Sequence, residues 1–141
     1  MRGTRLLDAR GRAKAYRPLP ADARQVALAA FLAAYERGAF WEAHELLEPA
    51  WMGADDPLER ELHSGLIKLA AAFVHEGRAN PAGVAKNLRG ARERLAGVVA
   101  GGGPDAGLDL AALLLVIEDR LLALDDGAVR VAAIPIRELS R

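Results

Sequence analysis

DPLERELHSGLIKLAAAFVHE, residues 56–76, reads as one long amphipathic helix. Asp56 is a natural N-cap, Pro57 suits the first turn, and Glu59 stands three residues after the cap as in a capping box. Leu62, Leu66, Leu69, Ala70 and Phe73 then recur at helical spacing to about Glu76, and Gly77 follows as a stop. Asn80-Pro81 repeats the cap-then-proline signal and opens a further helix to about Val98.

The same pattern extends in both directions. Upstream, Ala21 to Arg37 places Val26, Ala29, Ala30, Ala33 and Ala34 on one helical face, with Phe31 and Leu32 beside it, and Gly38 closes the segment. A second helix is expected from Phe40 to Trp51, kinked or ended by Pro49. Downstream, Gly101-Gly102-Gly103-Pro104 reads as a flexible linker. A fifth helix from about Asp109 to Leu124 carries Leu110, Leu113, Leu114, Ile117, Leu121 and Leu124 as a broad apolar stripe. The reading is all-α: a compact antiparallel bundle of about five helices, two hairpins plus a C-terminal helix. Gly38 and Gly77 punctuate the hairpins alike, suggesting a diverged internal pair. Residues 1–19 read as a basic arm, 20–128 as one helical domain, and 129–141 as an extended tail expected to lie across the bundle or reach a neighbour.

Composition sets the outer limits. A chain of 141 residues, 52% of them hydrophobic, suits one folded domain and excludes a wholly disordered one. No apolar run reaches about 18 residues, so no membrane span is expected. The start, Met1 to Arg5, does not resemble a secretory leader, and the absence of cysteine removes disulfides, thiol nucleophiles and thiolate metal sites. The expected compartment is the cytosol. Net charge is zero, yet Arg2, Arg5, Arg10, Arg12, Lys14 and Arg17 crowd the first seventeen residues against Asp8 alone. With Tyr16 beside them they could touch nucleic acid, but no groove-entering motif follows, and a solvated or loosely docked arm is the preferred reading. Sixteen arginines against three lysines suggest a GC-rich genome, compatible with a thermophile.

Chemistry concentrates in Phe40-Trp41-Glu42-Ala43-His44-Glu45-Leu46-Leu47-Glu48-Pro49-Ala50-Trp51. Helical spacing puts Phe40, Ala43, His44, Leu47 and Trp51 on one side, Glu48 on its flank one turn from His44, and Glu42 and Glu45 towards solvent. A His–Glu pair so placed can be a structural hydrogen bond, half of a metal site, or an acid–base pair. The zinc-protease pattern fails because Glu48 stands where a second histidine is required, and no Glu-x-x-His of a di-iron bundle occurs. Phosphate-binding glycine loops and serine nucleophile elbows are also missing. His63 and His75 project about 120° apart on one helix. His75 shares a polar stripe with Glu61, Ser64 and Lys68, and it reads either as a helix-end cation or as a neighbour of His44 across a hairpin interface.

Phe40 to Glu45 with Glu48 and Trp51, followed by Gly65-Leu66-Ile67, Leu69-Ala70, His75, Asn80 and Gly83, resembles the bacterial family called domain of unknown function 309. The likeness covers about residues 20 to 98. It departs where Ser64 and Lys68 replace glutamines and where Arg78-Ala79 precede Asn80 in place of glycine. The resemblance implies a multihelical fold, no established activity, and Glu42, His44, Glu45, Glu48, Trp51 and His75 as a candidate polar site without roles. The leading functional expectation is a helical module binding a protein, peptide or small ligand, with no cofactor and no resident metal. A small metal-dependent or acid–base enzyme centred on His44 and Glu48 is the alternative, nucleic-acid binding comes third, and a homodimer is a further expectation.

Overall fold

The computed structural model describes residues 17–140 together with the backbone of residues 5–7 and 13–15. Tyr16 and most of the basic arm lie outside the described residues. Within the arm, β1 (Arg5–Leu7) and β2 (Ala13–Ala15) pair antiparallel. The described residues then form α1 (Ala21–Glu36), α2 (Phe40–Gly53), α3 (Pro57–Gly77), α4 (Pro81–Ala100) and α5 (Leu110–Asp125). Each helix packs on the next in chain order, most extensively α3 on α4, as short connections between antiparallel helices require.

The starts follow their sequence signals. Asp56 accepts from the Glu59 N–H at 3.0 Å, and Asn80 and Asp109 cap α4 and α5 in the same way. The capping box at α3 is not reciprocal, because the Glu59 side chain turns to Arg24 and His63 instead. Gly38 ends α1 with φ of +82°, but at the end of α3 it is Ala79, not Gly77, that takes positive φ, +53°. The two hairpin turns are therefore not equivalent.

Three expectations are corrected, the first in part. Pro49 does not end α2, which continues to Gly53; Pro49 is exposed, on the outer side, where the missing N–H costs least. On α1 the buried face is Phe31, Ala34 and Tyr35 with Leu28 alongside, whereas Val26 is 70% exposed. The bulky residues set that phase, because alanine has too little surface to decide which side of a helix is buried. Gly101–Gly103 form a turn packed on Leu58 rather than a linker: a Cβ on Gly103 would stand 2.7 Å from that of Leu58.

The core joins all five helices through Phe31, Leu47, Leu62, Leu66, Leu69, Leu88, Leu95 and Ile117. Ile134 of the tail is equally buried. The tail lies across the bundle. Asp109 N–H donates to the Arg137 carbonyl, Leu139 N–H to that of Gly107, and Leu108 bridges Glu138 antiparallel.

Candidate functional site

The faces of α2 follow the helical spacing. Ala43, Leu47, Ala50 and Gly53 take the buried line of α2. His44, Glu48 and Trp51 are half-buried on its flank, and Trp41, Glu42 and Glu45 are exposed. Glu42 pairs with Arg37 at 2.8 Å. The His44 ring lies against Trp41 with centroids 5.3 Å apart, and its buried Nδ1 has no hydrogen-bond partner. Among the described contacts the hydrogen bond from His44 to Glu48 does not occur.

His75 stands elsewhere. Its Nδ1 is 3.1 Å from the Asn80 amide, and it packs on Gly83, where a Cβ would come within 2.5 Å of that nitrogen. Phe40 packs on Phe73 between α2 and α3, with ring centroids 5.5 Å apart. His44 lies against Trp41 while His75 lies against Asn80 and Gly83, and no group of three or more His, Asp or Glu among the described residues could hold a metal ion.

A polar cluster that sequence spacing did not reveal lies between α1 and α3. Arg24 donates from Nε and Nη2 to the two oxygens of Glu59, at 2.7 and 3.3 Å, and from Nη1 to the Leu19 carbonyl. His63, 3% exposed, places Nε2 3.9 Å from the same carboxylate. Burial pushes the His63 pKa below 6.5 against the opposing pull of Glu59 and the Ala50 backbone, so the ring is neutral at neutral pH. These groups are 35 residues apart in sequence, beyond any local pattern. Lys68, lying over Gly90 in the α3–α4 seam, has its pKa lowered by burial first and then by Arg94 and Lys86.

A cleft of about 950 Å³ lies between the α1–α2 corner and the tail. Leu32, Tyr35 and Phe40 contribute from the helices, and Ile134, Ile136 and Glu138 from the tail. Tyr35 sits in an aromatic run, 5.8 Å from Phe31 and 5.1 Å from Phe40, and its hydroxyl donates to the Ile134 carbonyl at 2.7 Å. Burial raises the Tyr35 pKa, so the phenol stays protonated and remains a donor. Glu36, Arg137 and Glu138 give the rim charges of both signs. Of the Phe40–Trp51 motif only Phe40 reaches this cleft. The tail half of the lining is the extended segment expected to lie across the bundle or reach a neighbour, and it does lie across the bundle, but neither periodicity nor capping indicates that Tyr35 would hold it.

Residues 28–87 match the family model described as Domain of unknown function (DUF309), the family that the α2 and α3 motifs resemble. The match runs from α1 into α4 and includes Leu32, Tyr35 and Phe40, while the tail that completes the cleft lies beyond it. No curated protein and no solved structure matches the chain.

Proposed function

From a domain whose family carries no assigned activity, we propose a binding module that takes a short, extended protein segment in the cleft beneath the tail. The observation that carries this reading is the strand-like edge along one wall. The tail is bonded to residues 107–109 through the Arg137 carbonyl and the Leu139 N–H. In an antiparallel pair that pattern turns the N–H and C=O of Glu138 to the opposite side. An incoming segment can pair with that edge while its side chains meet Leu32, Phe40 and Ile136, the addition of a strand to an existing one. The acid–base alternative gains nothing from the geometry, since His44 lies against Trp41 and His75 against Asn80 and Gly83. No helix among the described residues is long and apolar enough to cross a membrane. The cysteine-free composition supports a place in the cytosol.

A random-peptide display selection on the full chain, followed by calorimetric titration of the enriched peptides, tests this reading. Glu138→Pro removes the outward N–H but keeps both bonds to residues 107–109, and Leu32→Asp puts a charge into the cleft. Peptides that bind the wild type and lose affinity for both variants support the cleft. Selection of no peptide, or of peptides indifferent to both changes, discards it.

A further inference from the structure

α5 packs on α4 with one side only, and its other side carries apolar residues into solvent. Leu115 is 74% exposed and Leu122 57%, far more than a helix covered by its own bundle would leave. They are seven residues apart, so they line up along one stripe with the exposed Ala111 a further turn back. The flanks of that stripe are acidic. At 100° per residue Glu118 and Asp125 lie along one side, and Asp119 and Asp126 along the other. Arg92 reaches Glu118 at 2.7 Å and Arg120 reaches Asp119 at 2.9 Å. Among these described residues, two arginines stand against four carboxylates, and the rim they form is net negative.

Charge decides among occupants. A second copy laid antiparallel on this stripe would bring four further carboxylates against the first four. An anionic lipid surface or a nucleic acid would meet the same repulsion. A helix with leucine-like residues at matching intervals and lysine or arginine on either side would bury Leu115 and Leu122 and pair the rim. We propose that the outer face of α5 docks a cationic amphipathic helix of a protein partner. This surface shares no residue with the cleft beneath the tail, so either assignment can fail without the other.

The test uses the full chain and a synthetic amphipathic peptide of leucine and lysine at helical spacing, labelled for fluorescence anisotropy. Isotope-labelled protein maps the site by amide shifts. The shifts are expected along α5, and Leu115→Ala with Leu122→Ala should weaken binding by about tenfold or more. Asp125→Asn with Asp126→Asn should weaken it and flatten its dependence on salt. All four positions are exposed, so both variants should keep the wild-type thermal midpoint. Equal affinity of the leucine variant and the wild type would overturn the proposal. So would amide shifts on Glu42 and Glu45 of α2 instead of on α5. A dimer seen by light scattering that the leucine variant dissolves would assign the stripe to a second copy. Binding to phosphatidylglycerol vesicles, lost in that variant, would assign it to lipid.

Discussion

The Tyr35 hydroxyl donates to the Ile134 carbonyl at 2.7 Å, joining residues 99 positions apart. The contact fastens the tail to the middle of the molecule, with Ile134 as deeply buried as the helix-borne leucines around it. Tyr35→Phe keeps the aromatic packing and leaves that carbonyl without its donor, a loss of about 1–3 kcal/mol. For a domain of this size each kcal/mol is about 4 °C in Tm. Hydrogen exchange should rise at Leu139, whose N–H is bonded to Gly107, before it rises in α3. Unchanged exchange in the tail would mean that the apolar anchor holds it alone.

Two glycines on helices should respond to alanine in opposite ways. Alanine in a helix gains up to about 1 kcal/mol over glycine by intrinsic propensity alone. At Gly97 a Cβ meets nothing within 4 Å, so that gain is realised. At Gly53 the new Cβ stands 2.8 Å from both the Arg17 carbonyl oxygen and the Leu19 nitrogen, where the chain entering α1 crosses the end of α2. Backbone cannot rotate away as a side chain would. Gly53→Ala should therefore lose about 1–3 kcal/mol while Gly97→Ala gains. Urea midpoints of the two variants check the contrast, and a shift in the same direction for both would refute it.

His63 ties stability to pH. Its folded pKa is depressed by burial, so the unfolded chain binds a proton more readily than the folded one. Stability is complete above the ordinary histidine value of 6.5 and falls as the pH drops below it towards the lowered folded value. His63→Leu removes the group that must be charged on unfolding, leaving the Arg24–Glu59 pair in place. Denaturant midpoints measured above and below 6.5 should fall less in the variant than in the wild type. Parallel losses in both would clear His63 of the effect.

The helices were legible because their signals are local. Asp56, Asn80 and Asp109 each cap from three residues before the N–H they accept, and leucine spacing along α3 and α5 repeats within a few turns. Phase on α1 was misread because four alanines outvoted Phe31 and Tyr35, although the larger side chains have more surface to bury. The cleft was not legible for a different reason. Its walls come from opposite ends of the chain, and sequence spacing carries no record of a contact spanning 99 residues. Spacing puts Glu42 and Glu45 on the exposed side of α2 and His44 and Glu48 on its half-buried flank, but how His44 stands to His75 depends on helix packing, a tertiary quantity.

His44 gives the last prediction. Its Nδ1 is buried without a hydrogen-bond partner, and its ring stacks on Trp41. A buried unpaired polar atom costs about 1–3 kcal/mol, and an apolar residue of the same shape removes that cost. Phe is close in shape, keeps the contact with Trp41, and fits a half-buried position. His44→Phe should therefore leave thermal stability unchanged or raise it by about 1 kcal/mol, whereas His44→Ala, which opens a gap beside Trp41, should lower it. Both Tm values settle the matter in one experiment. If Phe is as damaging as Ala, the imidazole nitrogen has a partner in solution, and the His44–Glu48 flank of α2 regains its claim as a polar site.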